Sequence, residues 1–190
     1  IPPKATTSDF TKKIELLLPH LEKSTVEKIV FISSTSVYDD RSILVDEATP
    51  TNPLTESGRQ LVKSETLLQG NPNFKTTVVR FGGLIGEDRH PVRFLSGRKN
   101  VEQPDSPVNL IHQKDCIGIL LTLIEKGIYG EIFNAVAPSH PTRKTYYTKM
   151  ALSFGLPLPE FAAQQNATGK IISSDKIIET LGYDFEVPQL

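Results

Sequence analysis

Two spacings of apolar residues alternate along this chain. Short unbroken apolar runs occur in EKIVFISS (27–34), NPNFKTTVVRFGG (71–83), SPVNLIH (106–112) and GEIFNAVA (130–137), and each reads as a buried strand. Between them the spacing changes to helical. SDFTKKIELLL (8–18) places Phe10, Ile14, Leu17 and Leu18 on one face behind Ser8 as N-cap. Pro19 should end or kink that helix, although Leu21 keeps the phase. A second helix runs from TESGRQLVKSE to about Gly70. KDCIGILLTLIEKG (114–127) predicts a helix with Ile117, Leu120, Leu121 and Ile124 on one face, closed by Gly127. PTRKTYYTKMALSFG (141–155) predicts another, with Thr142 as N-cap, Tyr146, Met150 and Phe154 inward, and Gly155 as stop. A short helix is expected around Val92–Leu95, and KIISSDKIIETLGYDF (170–185) reads as a strand and a short helix.

Strands that are continuously apolar and alternate with helices predict an α/β fold, with a parallel sheet covered on both faces. The segment from Ser34 to about Leu54 is longer than an ordinary connection. Loops of that kind at the carboxyl ends of parallel strands are where ligands bind.

Composition narrows the function classes. The chain has 190 residues, 38% hydrophobic and 23% charged, enough for one domain with its own core. A net charge of -1 without a basic run gives no nucleic-acid surface. The longest apolar runs fall short of the ~20 residues of a membrane span. A single cysteine, Cys116, excludes an internal disulfide and suits a reducing, cytoplasmic setting. The four histidines have no metal-site spacing, so no metal is expected. The opening IPPKATTSDF has no Met and resembles the exit of a strand, which makes the chain the expected later part of a longer protein.

Three stretches carry candidate chemistry. ISSTSVY (32–38) sets hydroxyls and a tyrosine directly after a strand, where they either satisfy loop backbone or face a ligand. RFGGLIGEDR (80–89) has glycines that permit sharp turns or close approach to a ligand. In NLIHQKDC (109–116), Asp115 is placed to complement the next helix N-terminus, and His112 reads as structural.

Taken in order, FISSTSVY, VDEATPTNP, SGRQLVKSE, VVRFGGLIG, NLIHQKDC, IFNAVAPSHPTR and LGYDF resemble the extended short-chain dehydrogenase/reductases. The closer likeness is to their atypical, nucleoside-diphosphate-sugar epimerase-like branch, the NAD-dependent epimerase/dehydratase family. The resemblance implies a Rossmann-like parallel sheet whose N-terminal half precedes residue 1. Residues 1–90 would be the second half of the NAD(P)-binding domain, and 91–190 a substrate-binding lobe interleaved with the last strands. It implies NAD or NADP held by the intact protein rather than by this chain alone, because no glycine-rich phosphate loop is present. It also implies a small-molecule ligand such as a nucleotide sugar, and a homodimer through helices 8–22 and 55–70.

Residue by residue, Ser34 matches the family's active-site hydroxyl. Ser36 matches a neighbouring hydroxyl where a substrate contact is expected, and Gly83 and Leu84 fall where backbone lies near the nicotinamide. Apart from the resemblance, Tyr38 is expected to reach the crevice from its loop and contact substrate. His112 and Asp115 match a structural His-x-x-Asp. The departure lies in the catalytic helix. Gly58 and Glu65 hold the frame of Tyr-Gly-x-x-Lys-x-x-x-Glu, but Ser57 and Leu61 occupy the Tyr and Lys positions. A serine is a far weaker acid than a phenol, and leucine binds no ribose. Lys63 and Arg59 lie about 240° and 200° around the helix from Ser57, on other faces. The resemblance therefore implies either an atypical enzyme or a non-catalytic binding protein.

Overall fold

The computed structural model describes residues 10–41, 44–163 and 169–190. The expected N-cap Ser8 and the strand exit at 1–3 lie outside them. Strand β1 (Lys28–Ser34) pairs in parallel with β3 (Lys75–Phe81), which pairs in parallel with β6 (Ile132–Ala135). Two further parallel pairs extend the molecule: β4 (Gly83–Ile85) with β5 (Leu110–His112), and β2 (Leu44–Val45) with β7 (Ile171–Ile172). All pairing between these strands is parallel, as the unbroken apolar runs require.

On one face of the sheet, α1 (Phe10–Glu22) and α2 (Glu56–Gln69) cover Phe31, Val78 and Val37. On the other, α4 (Gln113–Lys126) and the π-helical turn Ile177–Leu181 cover Val79, Phe81 and Phe133. Short α3 (Val92–Leu95) packs on α5 (Arg143–Ser153) beside the β4–β5 pair. Thr142 caps α5 and Gly127 closes α4 at φ 63°, both as expected.

Four details differ from the sequence pattern. Helix α1 runs through Pro19, because Leu18 and Leu21 on either side of it pack on the core and the lost hydrogen bond faces solvent. Leu21 replaces Leu17 on the inner face, and Leu17 is 45% exposed. Phe154, expected inward, caps the end of α5 and is 43% exposed, its ring against His90. The fourth difference is the largest. Helix α4 buries Cys116, Ile119 and Leu123, whereas Ile117, Leu121 and Ile124 are 52%, 52% and 57% exposed.

The sheet explains the last difference. Strand β3 is buried from Thr76 to Phe81, but β1 lies at the margin with Ile32 45% exposed. Among the described residues, β1 has no neighbour on its other side.

Candidate functional site

The loop after β1 is built on its own hydroxyls. Ser34 is extended, and its Oγ accepts the Ser36 N–H at 3.2 Å, starting a single 3₁₀ turn over Thr35–Val37. Used as an acceptor there, the Ser34 hydroxyl keeps its own proton available to donate. Ser34 and Ser36 are both half-buried at the carboxyl end of the strand.

Helix α2 is pressed against this loop. Thr55 caps it by accepting from Gly58 N–H at 3.1 Å. A Cβ on Gly58 would lie 2.7 Å from the Ser36 carbonyl oxygen and 2.7 Å from Pro53 Cβ. Only glycine lets the first turn of α2 sit this close to the serine loop. Gly58→Ala should therefore cost about 1–3 kcal/mol by overpacking, read as a lower urea midpoint at unchanged slope. An unshifted midpoint would mean the loop simply moves away.

Ser57 Oγ lies 3.1 Å from Thr55 Oγ1, within the cap. Leu61 is buried among Phe31, Val37 and Leu68. Arg59 and Lys63 are exposed, and Arg59 pairs with Glu56 at 3.0 Å. No cation of α2 thus points beside Ser57.

The glycines after β3 are demanded by packing. A Cβ on Gly82 would lie 2.6 Å from the Asn109 carbonyl oxygen, and one on Gly83 would lie 2.6 Å from Leu110 Cδ2. Close contact with β5 leaves the other side of Gly83 and Leu84 open, and Leu84 is 43% exposed. Leu84 lines a cavity of about 340 Å³ with Ile32, Phe81, Gln113 and Cys116, and Asp88 and Arg89 lie at its wall. Burial, with Asp115 adding to it, pushes the Cys116 thiol up to about 12, so it is a packing group there and not a nucleophile.

Tyr38 does not reach this space, and the expectation that it contacts substrate is corrected. It is 2% exposed, and its hydroxyl contacts Asn134 Oδ1 and the Asp46 carbonyl oxygen at 3.0 Å each. It also accepts from Arg80 Nη1 at 2.6 Å. Arg80 in turn makes a two-pronged pair with Glu65, at 3.1 and 2.6 Å, and Ser33 donates to the same carboxylate at 2.5 Å. Burial raises the Tyr38 phenol despite the Arg80 charge. Burial also opposes the Arg80 charge, but Glu65 and Tyr38 hold its affinity for the proton above the usual value. Glu65 thus keeps its place in the helical frame for a structural reason: it fastens α2 to β1 and β3.

His112 caps α4, accepting the Lys114 N–H at Nδ1. Asp115 is fully buried in the first turn of α4, where an acidic side chain was expected. It accepts from Tyr183 Oη, Glu186 N–H and Val187 N–H at 3.1, 2.7 and 3.2 Å. The C-terminal segment is clamped there, a role that spacing alone did not reveal.

A second cavity, about 380 Å³, lies between the 85–90 loop, α5 and residues 187–190. His90 stands in its wall, with Nε2 3.1 Å from Tyr146 Oη. Burial and then Arg93 lower the His90 pKa, and burial lowers that of His140 against the pull of the Val108 carbonyl. Both imidazoles therefore bind protons more readily in the unfolded chain. Stability should fall as pH drops from 7 through about 6.5 toward 5.5, and His90→Gln should flatten that slope in thermal melts. Equal slopes in the two proteins would remove His90 from the account.

Among the described residues no group of three His, Cys, Asp or Glu is arranged to hold a metal ion. Nor is any of their helices long and apolar enough to cross a membrane.

No family model matches the chain. Its sequence is 40% identical over 164 residues to Protein YeeZ of Escherichia coli K12, covering 86% of this chain and 60% of YeeZ. The chain thus spans about three fifths of the length of the curated relatives it matches. In structure, the human epimerase family protein SDR39U1 with NADPH aligns with all of this chain and 73% of its own, at TM-score 0.77 and 19% identity. The UDP-glucuronic acid 4-epimerase of Bacillus cereus, in complex with NAD, aligns with 98% of this chain and 67% of its own, at TM-score 0.79 and 19% identity. The chain has the fold of the NAD-dependent epimerase/dehydratase short-chain dehydrogenase/reductases. In that fold Ser34 ends β1 and Ser36 follows it, while Gly83 and Leu84 open β4 just past the carboxyl end of β3. The carboxyl ends of parallel strands are where α/β sheets bind ligands.

Proposed function

We propose that this chain supplies the substrate-facing part of an NAD(P)-binding, epimerase/dehydratase-like protein whose ligand is a nucleotide sugar or a similar polar metabolite. The observation that carries the reading is the cavity lined by Ile32, Gln113 and Leu84, the last next along the chain from the exposed Gly83. The nicotinamide end of the cofactor lies against the Gly83–Leu84 backbone. Residues 1–90 serve the cofactor and 91–190 serve the substrate. Ser34 donates its proton to a substrate oxygen, and Ser36 lies beside it. The phosphates need a glycine-rich loop that these residues do not supply, so this chain alone binds NAD(P) weakly.

A second reading, binding without turnover, is favoured by two side chains. Leu61 is packed into the core and Ser57 is drawn into the Thr55 cap, so neither holds a proton or a ribose at the reacting end. NADPH fluorescence, absorbance at 340 nm and chromatography of the sugar nucleotide separate the two readings. They are measured on a protein in which the part of YeeZ outside the matched region is joined ahead of residue 1. Saturable NADPH binding with constant absorbance in the presence of UDP-glucuronic acid is expected. Conversion of UDP-glucuronic acid to another sugar nucleotide would favour the atypical enzyme, since an epimerase or dehydratase returns its hydride and leaves the absorbance unchanged, and absence of NADPH binding would defeat both readings.

The proposed protein works in the cytoplasm and pairs as a homodimer through α1 and α2. Leu16 and Leu17 are 62% and 45% exposed on α1, on the outer side of the α1–α2 pair. Leu17→Glu should turn a dimer into a monomer in sedimentation at unchanged melting temperature. A natural chain that is monomeric at all concentrations would reject the pairing.

A further inference from the structure

The second cavity, about 380 Å³, has no part in the proposed cofactor site. Ile85 and Gly86 stand in the walls of both cavities, and the Gly86–Arg89 turn, closed by hydrogen bonds of 2.9 and 3.2 Å, divides them. Asp88 and Arg89 line the first, and Glu87 and His90 the second. The size of the second suits a small molecule. Met150, Phe154 and Val187 make much of its wall apolar. Its polar groups are mostly donors. His112 accepts the Lys114 N–H at Nδ1, 3.2 Å away, so its ring proton sits on Nε2, which has no acceptor among the described residues. The Val92 N–H faces His90 Nδ1 at 3.5 Å, which leaves the His90 proton on Nε2 to donate to Tyr146 Oη at 3.1 Å. Tyr146 therefore keeps its own phenolic proton, and burial holds that phenol well above its ordinary pKa. Lys149 adds one positive charge, held at the wall by its bond to the Leu190 carbonyl at 2.9 Å. Glu87 is exposed, so water screens its charge.

We propose that this cavity binds a small apolar carboxylic acid. Its carboxylate meets the His112 Nε2–H, the Tyr146 hydroxyl and the Lys149 ammonium, and its hydrocarbon part lies among Met150, Phe154 and Val187. A carboxylate accepts through two oxygens and donates nothing, which matches a wall of donors carrying one cation. An alcohol or an amide would leave the lysine charge unanswered. A phosphate would bring more charge into apolar surroundings than one cation offsets. Phe154, tilted against the His90 ring at 4.9 Å, gives the hydrocarbon part an aromatic wall. The site needs no bound cofactor, and loss of NADPH binding would leave it standing.

The probes are phenylacetate and isovalerate, titrated into the intact chain and followed through its backbone amide resonances. Saturable shifts are expected at Gly86, His90, Met150 and Val187. Phenylacetamide keeps the ring and loses the charge, and should bind about tenfold more weakly than phenylacetate. Tyr146→Phe keeps the ring in the core and should weaken phenylacetate about tenfold. Lys149→Gln changes an exposed residue, leaves the fold intact and should bring acid and amide close to equal affinity. Shifts at Ile32 and Cys116 without shifts at Met150 and Val187 would put the acid in the first cavity and overturn the proposal. Equal binding of acid and amide by the natural chain would overturn the class of ligand. No saturable shift with either acid, or unchanged phenylacetate affinity in both variants, would overturn the site itself.

Discussion

Glu65→Ala should destabilise the fold by about 3–5 kcal/mol, a large part of the ~5–15 kcal/mol that holds a domain together. The reason is what remains behind. Arg80 is almost fully buried and its side chain is 5% exposed, so its charge has no water to turn to once the carboxylate is gone. Ser33 loses its acceptor in the same step. Tyr38 keeps Asn134 but stands beside an unpaired guanidinium. The lesion touches β1, α2, β3 and the loop that carries Ser34, so it should also loosen the serine loop. Urea denaturation measures the cost, and amide exchange at 34–38 measures the loosening. Glu65→Gln should cost less, since it keeps a hydrogen-bond acceptor while removing the charge. A loss below about 1 kcal/mol for Glu65→Ala would show that the pair is not structural.

Asp115→Ala is the second large effect, expected near ~3 kcal/mol. Three donors converge on this buried carboxylate, and two of them are backbone N–H groups of the C-terminal segment. Removing it leaves all three without their acceptor, the Tyr183 hydroxyl in a buried setting and the two backbone donors in a partly buried one. Asp115→Asn should cost less, because the amide oxygen still accepts. Amides of Glu186 and Val187 should exchange faster in Asp115→Ala, and the cavity walled by Val187 and Leu190 should open. Unchanged exchange at those two amides would mean the segment is held elsewhere, for example through Ser139 N–H and the Pro188 carbonyl.

The strands and helices were legible because their signals are local. Unbroken apolar runs announced β1, β3 and β6, and Thr142 and Gly127 marked helix ends by their own chemistry. The burial of α4 was not legible, and the failure is informative. Its most regular apolar face, Ile117, Leu120, Leu121 and Ile124, was expected inward, yet three of these four side chains are exposed. Periodicity reports that a face is apolar, not what it packs on, and this one lies beside β1, which among the described residues has no neighbour on that side.

The candidate site divides along the same line. Ser34 and Ser36 were visible as hydroxyls after a strand, and the structure gives their loop a hydrogen-bonded form. Tyr38 was misread because a tyrosine in a polar loop looks solvent-facing. Its role depends on Arg80 and Asn134, 42 and 96 residues away. Contacts so distant in sequence leave no mark on local pattern. Gly58 was read from resemblance as a register mark, and the Ser36 carbonyl beneath it supplies the physical reason for a glycine.

The central claim is that the Gly83–Leu84 backbone and the cavity beside Ile32 form the nicotinamide end of an NAD(P) site. The most direct measurement is an NADPH fluorescence titration of the protein joined behind the unmatched part of YeeZ, with and without Leu84→Arg. The account predicts saturable binding by the joined protein, little by the 190-residue chain alone, and at least tenfold weaker binding with arginine at the cavity wall, about 1.4 kcal/mol or more. A folded joined protein that does not bind NADPH, or binds it equally well with Leu84→Arg, would contradict it.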